Sequence, residues 1–445
     1  MFRFRFLGKT KIPHRKNTAH MAPVRMPAPK TVCITMDQHL GAPATPVVKV
    51  GDEVKVGQLI AEAAGVVSAP IHASVSGKVT KIDSYLRASG ALTTAVWIES
   101  DGLMTPCEGI TPPSITDLGS LIDAIRACGL VGLGGAGFPT AVKFEAIRNG
   151  AVNTIILNGA ECEPYLTSDA RTMLDQSDLI FEGISLLQRV LPCIERYIIG
   201  IEKNKPDCIA EMKRVFEGDD SVSIAKLPTR YPQGAEKILI RNTTGLTVPE
   251  GKLPADVGVI VMNVTTLATL AKYAKTGMPL VEKCVTVDGS GVNEPKNVIA
   301  PIGSSVADII AFAGGFREEI GKIILGGPMT GRAVYSTDEP IAKTTGAVLA
   351  FAPKDAKQPE ITHCLHCGKC IDICPNNLNV PAFALALKLD SKDDQIKVLE
   401  DSRVNLCIEC GSCAYVCPAN RPLTEGIRIA KTALRENKAH KATLK

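Results

Sequence analysis

Apolar and polar positions alternate differently along successive parts of the chain, and each change of pattern marks an expected boundary between domains. Residues 1–30 are basic, show no hydrophobic period and contain four prolines. We expect them to form an extended arm that lies over a partner or over the chain's own surface. Residues 31–100 alternate with a period of two between glycine turns, from TVCITM to AVWIES. That period predicts a β domain built of short strands.

Residues 115–275 change to the pattern of an α/β domain. SLIDAIRACGL, GISLLQRVL and TTLATLAKY carry apolar residues at helical spacing, while TIIL, YIIGI and VGVIVM have the character of buried strands. Helices and buried strands that alternate in this way predict a Rossmann-like fold with a parallel sheet. Because ligands of such folds bind outside the carboxyl ends of the strands, we expect a site in the loops that follow the strands.

Residues 281–318 form a smaller unit, with two short strands around a DGSG turn and a helix, SSVADIIAFAG, that starts at serine and ends at Gly-Gly. This order predicts a β-grasp-like unit. Residues 320–355 contain further strand-like runs, which we expect to pack back onto the α/β body. A charged linker precedes residues 360–430. Residues 431–445 form a basic tail, predicted as an amphipathic helix with either a solvated face or a membrane contact.

Length and composition narrow the class of protein. The 445 residues allow three or four domains, and 45% hydrophobic with 22% charged residues is typical of a globular chain. The formal net charge of +4 gives no support to nucleic-acid binding. The N-terminus lacks the apolar core of a secretory signal, and no stretch reaches about eighteen apolar residues. We therefore expect any association with a membrane to be peripheral.

Two cysteine runs near the end of the chain carry the most specific signal. CLHCGKCIDICP and CIECGSCAYVCP both have the spacing C-x2-C-x2-C-x3-C-P, which ligates [4Fe–4S] clusters in two-cluster ferredoxins. The fourth cysteine of each run then ligates the cluster of the other run. The prediction is an α-helical ferredoxin domain with two clusters. One is held by Cys364, Cys367, Cys370 and Cys417, and the other by Cys407, Cys410, Cys413 and Cys374.

Structural zinc and a disulfide framework explain these runs less well. Zinc sites use separated pairs of CxxC, which would leave the third and fourth cysteine of each run without a role. Disulfides need a secreted context, and the remaining seven cysteines are scattered without pairing motifs. Because clusters store single electrons, the rest of the chain should contain the group with which they exchange them.

A glycine-rich stretch, GLGGAGFPT, follows the first predicted helix of the α/β domain. Its glycines let the backbone approach a ligand, and free N–H groups can point at a phosphate. Taken alone, such a stretch is more often a tight turn than a nucleotide site. Polar residues in the loops after the predicted strands strengthen the hypothesis of a site. These residues are Asn158, Glu161, Glu163, Tyr231, Gly234, Glu236, Asn263, Thr265 and Thr266.

The β domain has a resemblance of its own. Its pattern V-x-V-G-D-x-V-x-x-G-Q-x-I resembles the barrel-sandwich fold of biotinyl and lipoyl carrier domains. Those carriers present a modified lysine at a hairpin tip, but no lysine lies between Lys55 and Lys78 here. Since no amine is available for attachment, we expect this domain to be a scaffold rather than a swinging arm.

The α/β segments together resemble a known flavin domain. GLGGAGFPT, NGAECEP, YPQGAEK and MNVTTLA are similar to the FMN- and NADH-binding domain of the flavin-bearing subunit of respiratory complex I. The order of domains is also distinctive, with a barrel-sandwich domain, this α/β domain, a β-grasp unit of the SLBB type and a double-cluster ferredoxin segment. That order resembles the RnfC family, the C subunits of Rnf electron-transport complexes, over nearly the whole chain.

The resemblance implies a set of cofactors and partners. They are non-covalent FMN, two [4Fe–4S] clusters and NAD(H) as substrate. It further implies a peripheral subunit on the cytoplasmic side of the cell membrane, in a complex that couples ferredoxin:NAD electron transfer to the translocation of Na+ or H+. The expected partners are the other subunits of that complex and a ferredoxin-type subunit that exchanges electrons.

The resemblance also implies roles for single residues. Gly132, Gly134 and Lys143 are expected near the flavin phosphate. The isoalloxazine and ribityl groups are expected against Asn158, Glu161, Tyr231, Gly234, Glu236, Asn263, Thr265 and Thr266. For the nicotinamide nucleotide, Phe138 is expected to stack and Glu163 to accept hydrogen bonds from ribose hydroxyls. No nucleophilic triad is found in these loops, in keeping with hydride transfer.

Two other hypotheses stay open at this point. The first is a soluble flavin and iron–sulfur enzyme similar to cobalamin reductase, although the domain at residues 31–100 argues against it. The second is a flavin-free scaffold subunit that only relays electrons.

Overall fold

The computed structural model describes residues 8–443. Residues 1–7 of the predicted arm and residues 444–445 of the predicted tail lie outside the described residues. The strands are β1 (Val24–Arg25), β2 (Thr31–Thr35), β3 (Thr45–Pro46), β4 (Glu53–Val54), β5 (Leu59–Glu62), β6 (Ile71–His72), β7 (Gly77–Leu86), β8 (Leu92–Ser100), β9 (Thr154–Asn158), β10 (Arg196–Glu202), β11 (Val222–Leu227), β12 (Val259–Asn263), β13 (Glu282–Asp288), β14 (Lys296–Pro301), β15 (Lys322–Leu325), β16 (Arg332–Val334) and β17 (Ala347–Phe351).

The α-helices follow the same order along the chain. They are α1 (Leu118–Ala127), α2 (Thr140–Glu145), α3 (Ser168–Asp175), α4 (Ser177–Val190), α5 (Pro206–Val215), α6 (Glu236–Thr244), α7 (Val264–Thr276), α8 (Val306–Phe312), α9 (Pro353–Ala356), α10 (Lys369–Asp372), α11 (Val380–Ala386), α12 (Lys392–Asp401), α13 (Ser412–Tyr415) and α14 (Leu423–Thr443). Within residues 8–443, no helix has both the length and the apolar character needed to cross a bilayer.

The predicted β domain is a sandwich of two sheets, with strand orders β2-β8-β7-β4 and β3-β5-β6. Alternate residues of its strands, such as Val32 and Ile34, are fully buried between the sheets, as the period of two predicts. Gly77 lies where β7 pairs closely with β8. A Cβ there would lie 1.9 Å from the carbonyl oxygen of Glu99, so only glycine fits.

The α/β domain contains a parallel four-stranded sheet, ordered β11-β10-β9-β12. Ile155 and Leu157 of β9 belong to one hydrophobic core and Ile156 to another, so helices cover both faces of the sheet. The chain passes from β9 to β10 and β11, and then returns to the other side of β9 to form β12. This reversal opens a crevice at the carboxyl ends of β9 and β12, where Asn158 and Asn263 lie.

The strands of residues 320–355 belong to a sheet that the sequence does not predict for them. The sequence predicts that they pack back onto the α/β body, and one face of β17 does so, but β17 pairs with β13 and β15 in a six-stranded sheet ordered β1-β14-β13-β17-β15-β16. They therefore complete the sheet of the β-grasp unit. All five residues of β17 are buried, because one face packs in that sheet's core and the other contacts Tyr165 and Leu166 of the α/β domain.

The described part of the N-terminal arm lies over the chain's own surface. Val24 and Arg25 form β1, which pairs in parallel with β14. The Thr18 side chain is fully buried and shares a hydrogen bond with the Thr167 hydroxyl at 2.5 Å. The arm thus ties the β-grasp sheet to the α/β domain.

The ferredoxin domain is made of the short helices α10 to α13 and the longer α14, around a small core that includes Phe383, Leu399 and Leu434. The boundary predicted at residue 431 falls inside α14, which is continuous from Leu423 to Thr443. Because Leu434 is 1% exposed, one face of the basic tail packs onto this core.

A buried lysine joins three of the units. Lys343, after β16, is 0% exposed, and its Nζ donates to the carbonyl oxygens of Pro70 in the β domain and Gly129 in the α/β domain, both at 2.7 Å. Burial lowers the pKa of Lys343 to about 7. The folded chain therefore favours the neutral amine above about pH 7, whereas the unfolded chain keeps the ammonium up to the ordinary lysine pKa of about 10.

This burial predicts a pH-dependent stability difference between the wild-type chain and Lys343→Met. The pKa of Lys343 is lower in the folded than in the unfolded chain, so the unfolded chain binds more protons between these two pKa values. Wild-type stability should then rise with pH across that window, by up to about 1.4 kcal/mol per pH unit, relative to the variant. Thermal unfolding of both proteins from pH 6 to 10 measures the difference, and a constant difference would contradict the assignment.

Candidate functional site

Four cysteines from two separate runs line one cavity of the ferredoxin domain. Cys407, Cys410 and Cys413 surround it together with Cys374, the last cysteine of the first run. Apolar side chains such as Ile427 complete the wall. The structure thus brings together the crossed set of four that the spacing predicts for one cluster.

The other predicted set lies on the outside of the domain. Cys364 and Cys367 are exposed, while Cys370 and Cys417 are half-buried. The pKa of the Cys370 thiol is raised, first by burial and then by the nearby thiols of Cys417 and Cys364. The crossing of Cys417 to the first run stays a prediction, with the Cys417 thiol among the groups that act on Cys370.

The two runs also share a backbone geometry that suits clusters. Gly368 and Gly411, each followed by a short helix, both have φ of +74°. The backbone N–H of His366 donates to Cys364 Sγ at 3.4 Å, and that of Glu409 donates to Cys407 Sγ at 3.3 Å. Hydrogen bonds to sulfur are one means by which proteins tune cluster potentials. In residues 8–443, no three His, Cys, Asp or Glu side chains lie close enough together to bind a single metal ion. The ligands of a [4Fe–4S] cluster lie farther apart, because each cysteine sulfur binds a different iron of the cluster.

The glycine loop lies beside the crevice of the α/β sheet. A Cβ at Gly134 would lie 2.3 Å from Asn263 Nδ2, whereas a Cβ at Gly135 would meet nothing within 4 Å. The loop is therefore pressed against Asn263 on one side and open on the other. Gly132 N donates to the Phe138 carbonyl at 2.9 Å, which closes the loop and leaves the Phe138 side chain half-buried.

Asn263 connects this loop to the rest of the crevice. Its Oδ1 caps α7 by accepting from the backbone N–H of Thr265 and Thr266, at 2.9 and 3.2 Å. Its Nδ2 donates to Asp169 at 2.7 Å, and Thr265 Oγ1 donates to the same carboxylate at 2.7 Å. Asp169 is a residue that sequence reasoning missed, because it lies in the first turn of α3 rather than in the loop directly after a strand.

Lys143 and Glu236 form an ion pair at the same edge. Lys143 Nζ lies 2.8 Å from Glu236 Oε1 and donates to the Val261 carbonyl at 3.0 Å. Nearby, Asn158 Nδ2 donates to the Gly234 carbonyl at 2.9 Å. The loops after β9 and β11 and the last turn of α2 therefore bring one cation, one carboxylate and amide groups together. Together with the open side of the glycine loop, these groups fit a phosphorylated ligand such as FMN.

Glu161 is the buried carboxylate of the loop after β9. It accepts from the Asp169 backbone N–H at 2.7 Å, and its Oε2 lies 3.9 Å from Lys16 Nζ. Burial raises the pKa of Glu161 to about 7, against the opposing effect of the Lys16 ammonium. The Glu161 side chain is 2% exposed. We therefore expect it to act on a ligand in the crevice through its charge rather than by direct contact.

Glu163 and Tyr231 lie beside the loop between β15 and β16. Glu163 accepts from Met329 N at 3.0 Å, Thr330 Oγ1 at 2.6 Å and Tyr231 OH at 3.3 Å. These internal donors occupy the carboxylate, so the predicted contact with ribose hydroxyls would require them to be released and stays a prediction. Tyr231 is 2% exposed, and burial strongly raises its pKa, with nearby Glu163 and the Cys410 thiol among the smaller causes.

The flavin-domain residues and the buried cysteine cavity are therefore neighbours. A Cβ at Gly411 would lie 2.7 Å from the Met329 carbonyl, and Arg428 donates to the Thr330 carbonyl at 3.3 Å. Both Met329 and Thr330 hydrogen-bond to Glu163. Through this loop, Glu163 connects the α/β domain to the run that begins at Cys407.

Comparison with protein families covers most of the chain. Residues 4–103 match the model of the RnfC barrel sandwich hybrid domain, and residues 125–272 match the Nuo51 FMN-binding domain. Residues 284–333 match the SLBB domain, and residues 363–421 match the 4Fe-4S dicluster domain. These four matches confirm the predicted fold and support FMN and two [4Fe–4S] clusters as cofactors.

Several relatives are similar over most of their own length. The C subunit of the proton-translocating ferredoxin:NAD(+) oxidoreductase complex of Clostridium ljungdahlii is 44% identical over 368 residues, which cover 82% of this chain and 80% of the relative. The C subunit of the Na(+)-translocating complex of Acetobacterium woodii is 42% identical, with 84% and 85% covered. The C subunit of the ion-translocating oxidoreductase complex of Rhodobacter capsulatus is 38% identical, with 96% and 82% covered.

Proposed function

Because the chain belongs to the RnfC family, the C subunits of ion-translocating ferredoxin:NAD(+) oxidoreductase complexes, we propose that its own share of the reaction is to link NAD(H) to two iron–sulfur clusters through non-covalent FMN. It is an oxidoreductase subunit of an Rnf-type electron-transport complex, and its partners are the other subunits of that complex. The observation that carries the proposal is the contact between Glu163 of the flavin domain and the loop beside Gly411 of the buried cysteine cavity.

The cofactors supply the electron chemistry. When bound, FMN exchanges a hydride with NAD(H) and single electrons with one-electron carriers, and the clusters store single electrons. The protein must therefore hold the flavin, present it to the nicotinamide and keep it near the clusters.

The residues of the crevice would divide these tasks. Backbone N–H groups of the glycine loop, with Gly132 and Gly134, and the Lys143 ammonium would hold the phosphate. Lys143 can do so while paired with Glu236, since its ammonium has three donors. Amide and hydroxyl groups would orient the rings and ribityl chain, and Phe138 would stack on the nicotinamide. The orienting residues are Asn158, Tyr231, Gly234, Asn263, Thr265 and Thr266, with Glu161 acting by its charge.

The two cysteine groups differ in what can approach them. Cys374 and Cys413 are buried beside the flavin domain, and Cys407 and Cys410 are half-buried around the same cavity, whereas Cys364 and Cys367 are exposed. The exposed group is the one within reach of another protein, so we propose that the ferredoxin-type partner docks there.

The placement in the cell follows from the complex. We propose a peripheral subunit on the cytoplasmic side of the membrane, where NAD(H) is available. Relatives translocate H+ or Na+ according to their names.

The test is an anaerobic titration of the purified chain with NADH, followed by visible absorbance. The proposal predicts a yellow protein that NADH bleaches. A bound flavin whose absorbance NADH does not bleach would contradict the proposal in favour of a cobalamin reductase-like enzyme. Iron and sulfide without flavin would contradict it in favour of a relay scaffold.

A further inference from the structure

The N-terminal arm supplies a half-buried lysine to the loop that follows β9. Lys16 Nζ donates to three backbone carbonyls of that loop, those of Glu161 at 2.8 Å, Glu163 at 2.9 Å and Leu166 at 2.5 Å. The Lys16 side chain is 15% exposed. A lysine that uses all three of its donors on one loop determines the shape of that loop.

The loop needs such an anchor because its backbone is strained. Glu161 and Tyr165 have φ of +43° and +70°, a region that side chains other than glycine seldom adopt. Strained residues persist only where the surroundings hold them. Lys205 holds the loop from the other side, donating to the Ala160 carbonyl at 2.6 Å.

The arm also reaches the neighbouring loop and the ferredoxin domain. Thr10 and Tyr231 exchange backbone hydrogen bonds at 2.9 and 3.1 Å. Thr10 Oγ1 donates to Ser412 Oγ at 2.9 Å, and Cys410 Sγ lies 3.5 Å from the same hydroxyl. The arm therefore contacts the two loops that contain Glu161 and Tyr231 as well as the buried cysteine cavity.

We propose that Lys16 is a positioning residue of the flavin site, which holds the backbone of residues 158–166 in the shape that receives FMN. The inference rests on the proposed function, since it assumes that this loop faces the flavin. The three hydrogen bonds of Lys16 all go to this loop and none goes to the cysteine runs. Loss of the Lys16 ammonium should therefore affect flavin binding and leave the iron content unchanged.

The experiment measures FMN affinity, by the quenching of flavin fluorescence on FMN-depleted protein, and iron content in four proteins. These are the wild-type chain, Lys16→Met, Lys16→Gln and the control Lys11→Met, which alters an exposed lysine of the same arm. Lys16→Met should weaken FMN binding at least about tenfold, because three charge-assisted hydrogen bonds are lost. Lys16→Gln should weaken it less, and Lys11→Met should leave it unchanged. All four should keep about eight iron atoms per chain.

The wild-type chain separates the two possible failures. If it binds no FMN, the proposed function fails. If it binds FMN and Lys16→Met or Lys16→Gln binds FMN equally well, only the positioning role fails. Loss of iron in step with FMN in both Lys16 variants would also overturn the inference, because Lys16 would then support the fold as a whole.

Discussion

Cys374→Ser should lower the iron content from about eight to about four atoms per chain. Cys374 is the last cysteine of the first run, yet it lines the cavity of the second run with Cys407 and Cys410. Its loss should therefore remove the cluster of the second run and spare that of the first. Iron and sulfide analysis with low-temperature EPR of the reduced protein measures the effect. Cys208→Ser is the matched control, because Cys208 is also buried but lies outside both runs.

Double variants test the crossing itself. If Cys374 and Cys407 share a cluster, Cys374→Ser with Cys407→Ser should still leave about four iron atoms. Cys374→Ser with Cys364→Ser should leave almost none, because each change then removes a different cluster. The reverse result would show that each run holds its own cluster.

Lys143→Glu should weaken the retention of FMN by about a hundredfold or more. The change removes a cation from the expected phosphate site and adds an anion there. Charge-assisted hydrogen bonds contribute roughly 1.5–3 kcal/mol each, and repulsion from the phosphate and from Glu236 adds to the loss. Flavin content after gel filtration and FMN affinity by fluorescence measure it, while the iron content should stay at about eight atoms.

Lys237→Glu provides the control for this prediction. Lys237 is exposed, follows Glu236 in the chain, and its Nζ donates to the Lys252 carbonyl at 3.2 Å. The same change of charge at that position should leave FMN bound. If Lys143→Glu releases iron as readily as flavin, the flavin and cluster sites do not behave as separate modules.

The fold was predictable because its signals are local, and the predicted cluster ligands rest on an equally local signal. The crossing of Cys374 and Cys417 follows from a spacing that occurs twice, and strand and helix periods identified the barrel-sandwich, α/β and β-grasp units. The cavity lined by Cys374, Cys407, Cys410 and Cys413 agrees with the spacing.

Pairings between distant segments could not be predicted in the same way. The apolar run of β17 indicates a buried strand, but its period does not say whether β13 or the α/β body is its neighbour. Glu163 meets Met329 and Thr330 across more than 160 positions of sequence. Lys16 belongs to a segment without any hydrophobic period, so its burial against Glu161 left no signal in the sequence. These contacts depend on how the folded domains pack against one another.

The measurement that tests the central claim most directly is an anaerobic NADH titration of the chain with and without its FMN, followed by flavin absorbance and cluster EPR. With FMN, the flavin should bleach and the signals of reduced clusters should appear. Without FMN, NADH should leave the clusters oxidised, although dithionite should still reduce them. Clusters that NADH reduces in the FMN-free protein, or a bound flavin that NADH does not bleach, would contradict a flavin link between NAD(H) and the clusters.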